Sequence, residues 1–378
     1  MAKNRLFELY EAGQSVWLDF IQRSLITSGD LQRLIDDDAI VGITSNPTIF
    51  EKAIDDSADY DDQMKDLVRQ GITDPQRIFE AISVQDIQMA ADILRPIFER
   101  TGGKDGYISL EVSPGAADDT QSTLAEARHL FERAARPNVF IKIPATPAGI
   151  PAIEQMIYEG VNINITLIFA VDVHRQVIDA YLHGLERRRA EGKPVAGIAS
   201  VASYFVSRVD TLVDKQLDEK IAATADPAAQ AALRALQGTA AIANAKLAYQ
   251  QYLEVFEGAR FADLKAAGAG VQRCLWASTS TKNPAYRDVL YVEQLIGPET
   301  VNTMPLQTIT AFQDHGVVAQ TLTQDVDAAR ATMARLAQAG INLRAVTDQL
   351  KVDGVKLFTE SYNQMIQKTG EKTARLVA

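Results

Sequence analysis

Eight short runs of β-branched, aromatic and small apolar residues, separated by longer amphipathic stretches, limit what this chain can become more than any other feature. They are SVWLDF (15–20), VGITS (41–45), YISLEV (107–112), NVFIKIPAT (138–146), VNINITLIFA (161–170), AGIASVASYFV (196–206), VQRCLWAS (271–278) and TVNTMP (300–305). Apolar runs of this length joined by helical connections predict a parallel sheet covered on its outer face. Eight of them predict a (β/α)8 TIM barrel, in the α/β class. No internal repeat, low-complexity tract or linker interrupts the alternation, so one barrel domain over residues 1–378 is expected. Extra helices are expected around 55–100, 210–268 and 306–378.

Charge and cysteine usage narrow the partners. The formal net charge of −11 argues against nucleic acid or an anionic membrane, while leaving room for an anionic small molecule in a local basic pocket. The single cysteine, Cys274, excludes an intramolecular disulfide and reads as a small buried apolar residue. No signal-like N-terminus or membrane-length apolar run is present, so a cytoplasmic protein is expected, as monomer or homodimer. The four histidines show no metal-ligand spacing, and no metal or other cofactor is expected.

Within NVFIKIPAT, Lys142 is the only charge in a doubly buried strand. Burial disfavours an ammonium and favours a reactive neutral amine, whose natural use is a Schiff base with a carbonyl substrate. Alone, the stretch also fits a strand-end lysine that reaches solvent or pairs with a buried carboxylate.

Its company along the chain tips the balance. Polar residues recur at predicted strand ends: Asp19, Asn46, Glu111, Asn164 with Thr166, Ser203 and Ser278. In a barrel these ends meet at one face, where catalytic groups collect. In VNINITLIFA, period two places Asn164 and Thr166 on one side, pointing into the barrel if the apolar residues face the helices. A carbinolamine must lose water to become a Schiff base, and Glu111 on the neighbouring strand is the candidate proton carrier, through a water held by Thr166. Asp19 is the candidate for the second acid-base task. Asp19 could equally cap the following helix, and Asn46 could be a turn former before Pro47. Arg208 and Lys282 follow strands six and seven, where a phosphate anchor commonly forms, although each also fits an ordinary surface charge.

The segments GITSNPTIF, ISLEVSP, VFIKIPAT, INITLIF, ASYFVSR and WASTSTKNP together resemble the transaldolase family, in that family's order across nearly the whole chain. The resemblance implies a cofactor-free class I aldolase-type barrel. Such an enzyme moves a dihydroxyacetone unit from sedoheptulose 7-phosphate to glyceraldehyde 3-phosphate in the pentose phosphate pathway. It implies that Lys142 forms the Schiff base, that Asp19 shuttles the proton in carbon–carbon cleavage, and that Glu111 with Thr166 handles the catalytic water. By the same resemblance Asn46, Asn164 and Ser203 hold donor hydroxyls, Phe205 lines the pocket, and Arg208 and Ser278 contact phosphate. The chain has ASTSTKN where the best-known family pattern carries a second arginine, so Lys282 is expected to supply that charge as a point charge without a bidentate fork. The length points to a longer bacterial subfamily. A fructose 6-phosphate aldolase is the nearest alternative. Those relatives are shorter and carry glutamine at the position of Glu111. A sugar-phosphate isomerase would need no essential lysine, and a non-catalytic binding barrel would need no paired acids.

Overall fold

A computed structural model describes residues 4–377. Residues 1–3 and 378, the ends of the expected single domain, lie outside the described residues. Eight parallel strands close in sequence order: β1 (Gln14–Leu18), β2 (Ile40–Ile43), β3 (Tyr107–Glu111), β4 (Val139–Pro144), β5 (Ile163–Ile168), β6 (Ser200–Phe205), β7 (Gln272–Ala277) and β8 (Thr300–Met304). β8 pairs with β1, so no edge is left open. All eight expected runs contribute a strand, and helices connect and cover them.

Differences at the strand ends have local causes. β1 stops at Leu18, which leaves Asp19 on the rim. β6 begins at Ser200 and not at Ala196, because Gly197 turns the chain at φ +79°. β7 stops at Ala277 because Ser278 adopts the left-handed conformation, φ +56°. In β5 the pairing with β6 slips between Ile165 and Ile168, where Leu167 has φ +60°. Strict alternation would send Thr166 and Leu167 to opposite faces; this kink lets both reach the barrel mouth.

The closed end of the barrel is plugged by an ion pair. Arg273 on β7 reaches across the interior to Asp105 (3.0 Å) and to the Ser15 hydroxyl (2.9 Å). Gly42 leaves room for the Trp17 ring, since a Cβ there would come within 2.5 Å of it.

At the open end the helix following β2, Pro47–Asp56, starts with proline at its first position and Asn46 as its cap, accepting from the Ile49 amide. The last helix, Leu343–Val377, runs across this end of the barrel. Gly354 packs against Leu167 and Phe169. Ser361 accepts a hydrogen bond from Thr48 (3.0 Å), and Lys372 donates to the Ile54 carbonyl (2.7 Å) and pairs with Asp61 (2.9 Å). Among the described residues no helix is long and apolar enough to cross a membrane.

Candidate active site

The register of the barrel brings the candidate groups together. Glu111 pairs with Lys142 across β3–β4, and Lys142 with Asn164 across β4–β5, so the three share one face of the sheet. That face is the interior: Asn164 donates to the Ser109 hydroxyl on β3 (3.0 Å) and accepts from Ser203 on β6 (2.7 Å). The Lys142 ammonium lies 3.1 Å from Glu111 Oε2 and 3.3 Å from the Ser45 carbonyl, with side-chain exposures of 10% for Lys142 and 9% for Glu111.

Above this layer lies a cavity of about 580 Å³ at the C-terminal ends of the strands. Asp19, Asn46, Glu111, Lys142, Thr166 and Ser203 line it, as do Phe205, Arg208, Ser278 and Lys282. Ten of the eleven residues singled out from the sequence therefore border one cavity. Asn164 does not border it. It is fully buried beneath the cavity with its amide committed to Ser109 and Ser203.

The two acids differ in surroundings. Burial pushes the Glu111 carboxyl above the ordinary range, against the attraction of Lys142, and Asp19 adds repulsion. Asp19 is also raised, again mainly by burial, against a hydrogen bond from Thr44 (2.7 Å) and the pull of Lys142 and Lys282. The same Thr44 hydroxyl lies 2.6 Å from that of Thr303 on β8. Asp19 thus belongs to a hydroxyl chain on the side of the mouth formed by β1, β2 and β8, while Glu111 belongs to the lysine. Two acids each able to hold a proton nearer neutrality, on either side of a shielded amine, suit proton transfers at two different atoms of one substrate.

The opposite wall is cationic. Arg208, in the first turn of the helix Ser207–Ala223, has no hydrogen-bonding or ion-pairing partner among the described residues; its guanidinium lies 5.3 Å from the centre of the Phe205 ring. Lys282 donates to Ser280 (2.7 Å) and, among the described residues, to no carboxylate. Its ammonium is pushed down by partial burial and by repulsion from Arg208, against the attraction of Asp19. Two cations close enough to repel, neither paired with a carboxylate among the described residues, suit an anion, and Ser278, its hydroxyl 2.9 Å from that of Ser207, borders the same cavity. Among the described residues no group of three or more His, Cys, Asp or Glu side chains is placed to hold a metal ion.

A family model described as Transaldolase/Fructose-6-phosphate aldolase matches residues 16–369. The chain belongs to this family. Its full-length relatives include a protein named Transaldolase 2 from Nostoc sp., 46% identical over 379 residues, covering 100% of this chain and 99% of that protein. A Transaldolase from Trichodesmium erythraeum is 44% identical over 378 residues, again 100% and 99% of the two chains. A Transaldolase from Mycobacterium bovis is 46% identical over 366 residues, 96% of each.

Several cavity residues of this transaldolase/fructose-6-phosphate aldolase family member escape a reading of the sequence. Thr44 lies inside the GITSNP segment, but only the fold shows that its hydroxyl serves Asp19. Gly354, Leu357, Phe358 and Ser361 come from the last helix, more than forty residues beyond β8, and nothing in their spacing distinguishes them from an ordinary helix face. His174, one of the four histidines, is buried against Cys274 (3.8 Å) outside the cavity, its imidazole pushed down to about 4 by burial.

Proposed function

We propose that this chain is a transaldolase that carries a dihydroxyacetone unit on Lys142, from sedoheptulose 7-phosphate to glyceraldehyde 3-phosphate, yielding erythrose 4-phosphate and fructose 6-phosphate in the pentose phosphate pathway. The carrying observation is the Lys142 amine 3.1 Å from Glu111 at the floor of a cavity that Asp19 borders from the other side. The neutral amine adds to the ketose carbonyl. Glu111 delivers the proton with which the carbinolamine hydroxyl leaves as water, Thr166 holding that water. Asp19 then takes the proton of the C4 hydroxyl. The C3–C4 bond breaks, its electron pair moves toward the iminium, and an enamine remains on Lys142 while the aldehyde departs. Addition of the acceptor aldehyde and hydrolysis run these steps in reverse.

Asn46 and Ser203 hold donor hydroxyls in this reading, with Asn164 holding Ser203 in place from below, and Phe205 lines the pocket. Arg208, Ser278 and Lys282 take the phosphate. The acidic surface and the absence of a membrane-length helix among the described residues support a cytoplasmic enzyme of sugar phosphates, monomeric or homodimeric, with no nucleic-acid partner and no cofactor.

Borohydride reduction in the presence of fructose 6-phosphate is the direct test. Covalent mass added at Lys142, together with turnover that requires an acceptor aldehyde, is the expected result. No adduct at Lys142 refutes the mechanism, and release of free dihydroxyacetone without an acceptor makes the enzyme an aldolase. Lys282→Ala should raise KM for phosphorylated sugars by about tenfold with a smaller change in kcat, as loss of uniform binding does. An unaltered KM removes Lys282 from the phosphate site.

A further inference from the structure

The anion site just described is built from two separate pieces of chain. Arg208 stands on the helix Ser207–Ala223, and Ser278, Ser280 and Lys282 stand on the loop that leaves β7. Their relative position decides whether one phosphate can touch both. Near the strand ends the pieces are joined by Val206 and Ser207, whose amides donate to the carbonyls of Ala277 (3.0 Å) and Ser278 (3.0 Å). Beyond Lys282 the loop is exposed and has little core of its own at residues 282–285.

It is recaptured by an unusual pair of acids. Asp210 and Asp214 lie one turn apart on the Arg208 helix, 1% and 8% exposed. Neither forms an ion pair with a lysine or arginine among the described residues. Each instead accepts from one tyrosine of the segment after β7 and from the backbone. Tyr286 donates to Asp214 (2.6 Å), whose other oxygen accepts from the Gly238 amide (3.0 Å). Tyr291 donates to Asp210 (2.9 Å), whose other oxygen accepts from the Ala241 amide (2.7 Å). Gly238 is shaped for this contact: it has φ +69°, and a Cβ there would lie 2.8 Å from the Tyr286 ring. Burying two carboxylates without cations costs stability. Each acid offsets that cost through the hydrogen bonds it accepts, one of them from a tyrosine of the segment after β7.

We propose that Asp214–Tyr286 and Asp210–Tyr291 are positioning pairs that fix Lys282 opposite Arg208, and so set the preference for phosphorylated over unphosphorylated substrates. This rests on the reading of Arg208, Ser278 and Lys282 as the phosphate anchor. Tyr286, four residues after Lys282, is the nearer clamp; Tyr291 secures the start of the next helix, Leu290–Gln294. The pairs touch no substrate. They act by keeping the loop from drifting away from the cavity wall when the site is empty, so that binding does not have to supply the ordering.

Tyr286→Phe removes the hydroxyl and keeps the ring. The expected result is an increase of about tenfold in both KM for fructose 6-phosphate and the inhibition constant of inorganic phosphate, the loss of one charge-assisted hydrogen bond. Borohydride labelling of Lys142 by unphosphorylated dihydroxyacetone should be unchanged. Asp214→Asn, which keeps a carbonyl oxygen for Tyr286, should fall between wild type and Asp214→Ala. An unchanged phosphate inhibition constant in Tyr286→Phe overturns the proposal, and so does an equal loss of labelling by dihydroxyacetone, which would mean a general structural role. Should Tyr286→Phe fail to fold, Tyr291→Phe is read by the same two constants. Wild-type enzyme that inorganic phosphate does not inhibit would remove the anchor itself while leaving the Lys142 chemistry intact.

Discussion

Lys142→Met should abolish turnover and borohydride labelling while the barrel remains folded. Methionine keeps most of the lysine volume in a layer where Glu111 and Asn164 are its register neighbours, so packing is largely retained. What is lost is the amine that touches Glu111, and with it the cation beside that carboxyl; Lys52 and Lys282 line the same cavity, but neither pairs with Glu111 among the described residues. The carboxyl of Glu111 already sits above its ordinary range because of burial, and Lys142 is the chief force opposing that rise. Without it Glu111 rises further. An acid whose folded-state value is raised binds more protons folded than unfolded, so its contribution is fully present below the unfolded value and is lost as pH rises through the folded one. The stability difference between wild type and Lys142→Met should therefore be small near pH 4.5 and widen toward pH 8, reaching on the order of 3 kcal/mol as an uncompensated buried carboxylate does. Thermal unfolding of both proteins across that range checks the sign; a difference that shrinks with pH contradicts it. Turnover near the wild-type rate would end the Schiff-base account.

The barrel was legible because its signals are local and repeated. A run such as YISLEV or VFIKIPAT declares a strand through composition, and Asn46-Pro47 declares a strand end through the chemistry of proline. The ends then converge by topology, which is why ten residues spread from Asp19 to Lys282 along the chain border one cavity. Asn164 shows where periodicity stops being informative. Period two places it on the inner face, as observed, but depth along the barrel axis is set by strand tilt and register, and these put it below the cavity floor. Leu167 failed in the opposite sense: alternation sends it outward, and a left-handed residue turns it to the mouth. The last helix was recognisable as a helix, yet its path over the barrel depends on contacts with residues some three hundred positions earlier, such as Thr48 with Ser361. No local pattern encodes that.

The anion wall joins the two scales. Arg208 and Lys282 each look like surface charges, and only their common lack of a carboxylate partner among the described residues, seen in three dimensions, marks them as a pair. Asp210 and Asp214 are a still harder case, since D-x-x-x-D on a helix ordinarily marks a solvated face. Their burial against Tyr286 and Tyr291 reverses that reading: Asp210 is pushed up to about 7 by burial and by Asp214.

Asp19→Asn should separate the two halves of the chemistry. The amide oxygen can still accept from Thr44, so the hydroxyl chain through Thr303 has no reason to rearrange, and the side chain keeps its volume. The amide cannot take a proton. Capture of the ketose by Lys142 depends on Glu111, on the other side of the cavity, and should continue; breaking the carbon–carbon bond requires a base at the substrate hydroxyl and should slow by about 10²–10⁴-fold, the usual worth of a positioned acid-base group. The Schiff base with intact donor should then accumulate, so that borohydride fixes the mass of the whole fructose 6-phosphate on Lys142 where the wild type yields the three-carbon unit. Removing the negative charge of Asp19 also withdraws repulsion from Glu111, and the limb of any remaining pH–rate profile that Glu111 governs as proton donor, the alkaline one, should move down. A variant that turns over normally, or one that no longer captures the ketose at all, would show that the division of labour between the two carboxylates is wrong. In the first case cleavage needs no base at Asp19, and in the second Asp19 takes part in forming the Schiff base itself.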